Sequence, residues 1–215
     1  AVVLDGGQAR ERDLGVADDG SVGRDQGDAG PSGLARAVGE LYMVCRSRKP
    51  VMAIFRQAAE KHGIRVVGPN CIGTIDTHHA VNTTFVVGMP QVGAIGFVSQ
   101  SGAICVAVID WARGQGFGLS RLVGMGNQSD VTESDLLGPV SDDPYTRVIA
   151  LYLEGVSDGR NFLQQAQAVS RGKPIVALKV GRYERSKAAV ASHTGALAGL
   201  ESAYNAAFRR AGVIR

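Results

Sequence analysis

Ala94-Ile95-Gly96-Phe97-Val98 runs directly into Ser99-Gln100-Ser101-Gly102, and the residues that follow place Ile104, Cys105, Val108, Ile109 and Ala112 on one helical face. An unbroken apolar run, then hydroxyl residues and a glycine, then a 3.6-residue period, reads as strand, turn and helix. The unit repeats toward the C-terminus. Leu119 to Gly124 predicts a second strand and Thr132 to Leu137 a short second helix, stopped where Gly138-Pro139 interrupts it. Arg147 to Leu153 predicts a third strand, and Gly159 to Val169 a third helix with Phe162, Leu163, Ala166 and Val169 aligned. Pro174 to Val180 predicts a fourth strand, Gly195 to Arg210 a fourth helix, and Gly212-Val213-Ile214 the start of a fifth strand.

Strands that are continuously apolar and separated by helices belong to a parallel sheet covered on both faces. The expected fold class is therefore α/β. The units are too few and too short for a barrel of roughly 250 residues, and they fit an open doubly wound sheet.

Upstream the pattern weakens. Val51 to His62 predicts an amphipathic helix closed by Gly63, Ile64 to Val67 a strand, and Gly68-Pro69-Asn70-Cys71-Ile72-Gly73 a turn-rich loop. Ala1 to Leu4 is apolar and strand-like, but Asp5 to Gly33 holds 8 glycines in 29 residues, three from Val, Ile, Leu, Met and Phe, and no aromatic. So little apolar surface cannot offset the entropy of ordering the chain. Residues 1–50 are expected to be irregular or degraded.

Bulk properties exclude several classes. A net charge of +3 on 215 residues is too small to point to nucleic acid or a membrane surface. No run approaches the ~18 apolar residues of a membrane span, and no signal peptide opens the chain. Cys45, Cys71 and Cys105 are odd in number, scattered and without a CxxC. Reduced thiols in a cytoplasm are expected, with no metal site.

In open parallel sheets ligands bind beyond the carboxyl ends of the strands, and four features fall there. Ser99-Gln100-Ser101-Gly102 opens a helix and suits either an anion, held by free N–H groups and the helix dipole, or a plain Ser N-cap. Gly124-Met125-Gly126-Asn127 is not a dinucleotide fingerprint, because Ser129 stands where a third glycine belongs; its glycines suit close approach of a ligand or a tight turn. Glu154, at the tip of the third strand, can orient an imidazole by accepting its N–H, or stand as a solvated loop acid. His193, in Ala191-Ser192-His193-Thr194-Gly195-Ala196-Leu197-Ala198-Gly199, sits among small residues just before a helix. There a bulky group has room on the imidazole, and Thr194 can bond nearby oxygens. His62, His78 and His79 lack such a setting and read as structural or solvated.

Taken together, Gly68-Pro69-Asn70-Cys71-Ile72-Gly73, Gly96-Phe97-Val98-Ser99-Gln100-Ser101-Gly102, Leu151-Tyr152-Leu153-Glu154-Gly155 and Ser192-His193-Thr194-Gly195-Ala196-Leu197-Ala198-Gly199 resemble the succinyl-CoA ligase α-subunit-like part of NDP-forming acyl-CoA synthetases, ADP-forming acetyl-CoA synthetases included. The resemblance runs from about Val51 to Arg215 in the family's order. It implies a flavodoxin-like domain over 91–215 carrying a phosphohistidine loop, and over 51–90 a remnant of a CoA-binding Rossmann-like domain with its linker. The glycine-rich strand-turn-helix that opens such a domain has no match in residues 5–33. Residue by residue, His193 resembles the phosphorylated histidine and Glu154 the carboxylate that orients it. Ser99, Gln100, Ser101 and Gly102, with Thr194 and Gly195, resemble the phosphoryl-holding groups. Asn70, Cys71 and Gly73, with Gly124 and Gly126, fall to substrate or CoA. The implied reaction is that of an acid–CoA ligase: acyl-CoA, phosphate and ADP or GDP give free acid, CoA and ATP or GTP, reversibly. The implied cofactors are CoA, ATP/ADP and Mg2+. The nucleotide and metal are held mainly by an ATP-grasp domain or β-type subunit in an oligomeric assembly. A second reading is the ligand-sensing, acyl-CoA-synthetase-like region attached to protein lysine acetyltransferases. Retention of His193, Glu154 and Ser99 to Gly102 favours the ligase.

Overall fold

A computed structural model describes residues 2–5, 56–57, 59–181 and 201–215. The chain divides into two compact units, Val3–Arg65 and Val66–Arg215, the latter with Ala1–Val2. Strand β1 is Val2–Asp5 and β2 is Ile64–Val67. The described residues between 56 and 61 are helical, as the periodicity there predicts. Gly63, at φ 64°, ends that turn with its N–H 3.2 Å from the Glu60 carbonyl.

The larger unit contains a seven-stranded sheet. Its strands are β3 Gly73–Asp76, β4 Val81–Asn82, β5 Val92–Ser99, β6 Leu119–Gly124, β7 Val148–Leu153, β8 Ile175–Lys179 and β9 Val213–Ile214. The helices are α1 Gly102–Gln115, α2 Glu133–Asp142, α3 Gly159–Ser170 and α4 Glu201–Ala211. The order across the sheet is β4-β3-β6-β5-β7-β8-β9. Strands β5 to β9 pair in parallel, whereas β3 runs antiparallel to both β4 and β6. Numbered in chain order, the parallel strands lie as 2-1-3-4-5, which is the flavodoxin-like winding.

The structure differs from the sequence reading in two places. Reading the sheet as beginning near residue 91 missed β3 and β4, which extend it on the β6 side. Their antiparallel pairing is held by cross-strand registers such as Ile75 with Leu122, not by apolar periodicity, so a four-residue strand beside Pro- and Gly-rich turns left little pattern. Second, α2 does not stop at Leu137. It continues through Pro139 to Asp142. The lost proline N–H and the ring's crowding of the preceding turn are outweighed because Leu137 and Val140, on either side, are 1% and 3% exposed in the core. The Asp135 carboxylate anchors the helix start by accepting from the Thr132 N–H at 2.9 Å and hydroxyl at 2.7 Å.

Adjacent strand residues serve opposite faces. Val98, Leu151, Leu153, Ile175 and Ala177 pack against Val140 of α2, Phe162 and Ala166 of α3, and Phe208 and Ala211 of α4. Phe97, Leu119, Leu122 and Ile75 pack against Cys105 and Ile109 of α1. Each fully buried Val, Leu, Ile or Phe side chain contributes roughly 1.5–3 kcal/mol. Among the described residues no helix is long and apolar enough to cross a membrane.

The edge of the sheet where the parallel strands begin is tied by polar groups. Arg121 bridges Asp76 and Asp143, with Nε 3.0 Å from the Asp143 carboxylate. The Thr146 hydroxyl donates to Asp143 at 2.6 Å and lies 2.6 Å from the Ser120 hydroxyl. His78 stacks on Tyr145 with ring centroids 3.9 Å apart, and His79 bonds Asp76 at 2.8 Å. Burial raises the Asp143 carboxyl, but the Thr146 hydroxyl, the Arg121 guanidinium and the Tyr145 N–H together hold it below the usual carboxylate range. A depressed native pKa stabilises the fold fully above the unfolded value of about 3.9, and that stability is lost as pH falls through the native value. Asp143→Asn is expected to lower stability at pH 7 by about 2 kcal/mol in urea unfolding, and to flatten the loss of stability that the wild-type chain undergoes below about pH 4.

Candidate active site

At the winding's switch point the chain leaves β5 in one direction for β6 and returns on its other side as β7, so the carboxyl ends of β5 and β7 open a crevice between them. Gln100, the residue after β5, spans it. Its side-chain oxygen accepts from the N–H groups of Glu154 at 2.5 Å and Gly155 at 3.0 Å, and its amide donates to the Gly155 carbonyl at 2.7 Å. The Gln100 N–H also bonds the Tyr152 carbonyl at 3.2 Å. Gln100 thus fixes the turn that presents Glu154.

Ser99 lies below this surface. It is fully buried, donates to the Ser101 carbonyl at 2.9 Å and accepts from the Ser101 N–H at 3.1 Å. It shapes the turn and does not line the cleft. Ser101 is the N-cap of α1, its hydroxyl accepting from the Ile104 N–H at 3.4 Å. The N–H groups of Gly102 and Ala103, ahead of the Cys105 N–H that bonds the Ser101 carbonyl at 3.2 Å, have no intrahelical acceptor and sit at the positive end of the helix dipole.

These elements enclose an open cleft of about 400 Å3 whose lining includes Asn70, Cys71, Gln100, Ser101, Gly102 and Glu154. Six of the residues read from the sequence therefore meet at one place. The cleft also takes Ile72, Phe85, Ala103, Val106 and Asn127. Asn127 adjoins the Gly124-to-Gly126 turn and bonds Asn70 at 3.3 Å, so it was findable. Phe85, 79% exposed in a loop, carried no sequence signal.

Gly73, Gly124 and Gly126 are not among the lining residues, and packing accounts for each. A side chain at Gly124 would come within 2.2 Å of Ile72 Cγ2, at Gly126 within 2.4 Å of the Pro69 carbonyl, and at Gly73 within 2.8 Å of the Thr83 carbonyl. Gly124 and Gly126 let the 68–73 loop pack against the end of β6, and Gly73 lets Thr83 approach. Gly102 is the opposite case. A Cβ there would meet nothing nearer than Ile72 Cβ at 3.7 Å, so no neighbouring protein atom demands glycine, and its bare backbone faces the cleft.

The Glu154 carboxylate makes no hydrogen bond among the described residues. Its charge is felt by its neighbours: burial and then Glu154 raise the Tyr152 hydroxyl. Lys179, at the carboxyl end of β8 and 6% exposed, is lowered by burial and by Arg215, with Glu201 and Glu154 opposing. Its ammonium lies 4.6 Å over the Tyr204 ring. Sequence reading placed Lys179 inside the fourth strand and gave it no role. Burial pushes the Cys105 thiol up to about 12, which leaves it an unreactive core residue. His193, Thr194 and Gly195 lie outside the described residues.

The described residues thus bring a helix start, a bare glycine backbone and the Glu154 carboxylate to one cleft at the switch point of a doubly wound α/β domain. The chain belongs to the family described as the succinyl-CoA ligase like flavodoxin domain, which matches residues 92–215. It is 47% identical over 158 residues to acetate–CoA ligase [ADP-forming] I of Archaeoglobus fulgidus, covering 74% of this chain and 23% of that protein. It is 44% identical over 159 residues to acetate–CoA ligase [ADP-forming] I subunit alpha of Pyrococcus furiosus, covering 74% and 34%. The acetyl-coenzyme A synthetase 1 of Ca. Korarchaeum cryptofilum, solved with phosphate and ADP, superposes with a TM-score of 0.74 at 37% identity, covering 77% of this chain and 36% of that one. The chain thus spans about a quarter to a third of the relatives it matches.

The two kinds of glycine separate experimentally. Gly126→Ala is expected to lower stability by about 2 kcal/mol in urea unfolding, because φ is 58° and backbone blocks the new methyl. Gly102→Ala is expected to stay within about 0.5 kcal/mol of the wild type in the same measurement.

Proposed function

We propose that this chain is the phosphoryl-transferring part of an ADP-forming acyl-CoA synthetase, which interconverts acyl-CoA, phosphate and ADP with free acid, CoA and ATP through a phosphohistidine at His193. The observation that carries the reading is the convergence of Glu154 and the α1 start on one cleft at the switch point, in a chain 47% identical to an ADP-forming acetate–CoA ligase. The named relatives are ligases, which favours ligation over ligand sensing.

The chemistry suits these groups. A neutral imidazole is nucleophilic near pH 7: its nitrogen forms the N–P bond as the bond from phosphorus to the leaving oxygen breaks, and the reverse displacement passes the phosphoryl to ADP. Glu154 accepts the N–H of the other ring nitrogen, fixing the tautomer and stabilising the charged phosphoimidazole. The backbone N–H groups of Gly102 and Ala103 supply preorganised donors to the phosphoryl oxygens, and the missing Cβ lets those oxygens approach. Asn70 and Cys71 border the same cleft on the side assigned to acid and CoA. CoA carries the acyl group as a thioester. ATP or ADP and Mg2+ are assigned to an ATP-grasp domain or β-type subunit, in keeping with the relative named as subunit alpha. With its scattered thiols, the assembly is placed in the cytoplasm.

The test is to mix the chain with a β-type nucleotide-binding subunit of an ADP-forming acetate–CoA ligase and radiolabelled ATP. Acid-labile, base-stable label is expected on the wild type and absent in His193→Ala; labelling unchanged in that variant sinks the assignment. Glu154→Gln is expected to slow labelling on the order of 100-fold.

A further inference from the structure

Glu133 is the first residue of α2 and is 1% exposed. Its carboxylate accepts from the Gln128 amide at 2.7 Å and the Ser134 hydroxyl at 3.4 Å, and lies 3.2 Å from the Gln100 amide nitrogen, whose two protons have nearer acceptors in the Gly155 carbonyl and the Gln128 oxygen. Gln128, held at φ 50°, accepts in turn from the Gln100 amide at 2.9 Å. The three side chains form a closed polar network beneath the cleft.

An ionised carboxylate only accepts, whereas a glutamine amide has one donating and one accepting end that can exchange by a half-turn. Glu133 removes that freedom. Gln128 must turn its NH2 group toward it, the Gln128 oxygen then receives the Gln100 NH2 group, and Gln100 is left with its oxygen aimed at the N–H groups of Glu154 and Gly155. Turned the other way, Gln100 would set donors against two donors, and the 154–155 turn would lose its anchor. The positive end of α2 favours the buried charge that performs this selection.

We infer that Glu133 is a positioning residue: by holding the amide orientation of Gln100 and Gln128 it fixes the turn that aims Glu154 into the cleft. The inference rests on the phosphoryl-transfer reading for its catalytic consequence, while its geometric half can be measured independently. Glu133→Gln preserves shape but restores a donor, and so releases the choice of orientation. Glu133→Asp keeps an acceptor-only group one methylene shorter.

The experiment follows the backbone amides of isotopically labelled chain by NMR, and the labelling rate with the β-type subunit and radiolabelled ATP. In Glu133→Gln the amide protons of Glu154 and Gly155 are expected to move upfield and exchange faster, with those of α3 unchanged. Labelling is expected to slow about tenfold at saturating ATP, with the half-saturating ATP concentration unaltered. Glu133→Asp is expected to recover part of both effects, and it replaces Glu133→Gln in the comparison with wild type if the latter fails to fold by circular dichroism. Unmoved Glu154 and Gly155 amides in a folded variant overturn the inference. So does a wild-type labelling rate, or a shift spread equally over α3. Wild-type chain that takes no label overturns the functional reading, and the catalytic role of Glu133 with it.

Discussion

The structure depends on β5 being paired in parallel on both sides, with β6 against one edge and β7 against the other. A strand in that position has no free edge and no solvent face, which is why Phe97 and Val98 point into two different cores. It also forces the chain to leave and return in opposite directions, and a crevice opens where those paths part. The cleft is therefore a consequence of winding, placed before any particular side chain is chosen. Gln100 then turns the gap into a site by bonding both the N–H and the carbonyl side of the turn after β7.

The surroundings of this crevice divide the labour between packing and access. Glycines on the β6 side are filled against by the 68–73 loop, so that Asn70 and Cys71 reach the cleft rim. Among the described glycines named for the site, Gly102 alone leaves its backbone open to it. Ser99, in the middle of the most recognisable motif, is spent on local geometry: its hydroxyl satisfies both backbone groups of Ser101. The main-chain donors left there sit at the positive end of the helix dipole. Polar groups at the other end of the strands, around Arg121 and Asp143, do the opposite work of closing and anchoring.

Family membership and the share of the relatives that is covered fit one picture. The chain matches a quarter to a third of proteins that, by name, join acetate to CoA with ADP formation. Glu133 extends the site inward: a buried carboxylate, remote from solvent, decides which end of an amide faces the working turn.

The amino-acid sequence by itself determined the class of fold, because continuous apolar runs at 94–98, 119–124, 147–153 and 174–180, spaced by helical periods, admit only a covered parallel sheet. It also pointed to the strand-end edge where the cleft lies, since strand ends and helix starts are local signals, and the cleft-lining Ser101, Gly102 and Glu154 were legible from them. Tertiary structure decided what periodicity does not encode. The hairpin β3–β4 exists through pairing with β6, and α2 runs through Pro139 because Leu137 and Val140 are buried around it. The roles of Gly124 and Gly126 follow from the atoms of Ile72 and Pro69 that press on them. Glu133, thirty-three positions from Gln100, had no sequence signal, because the meaning of a buried carboxylate lies in which donors the fold turns toward it.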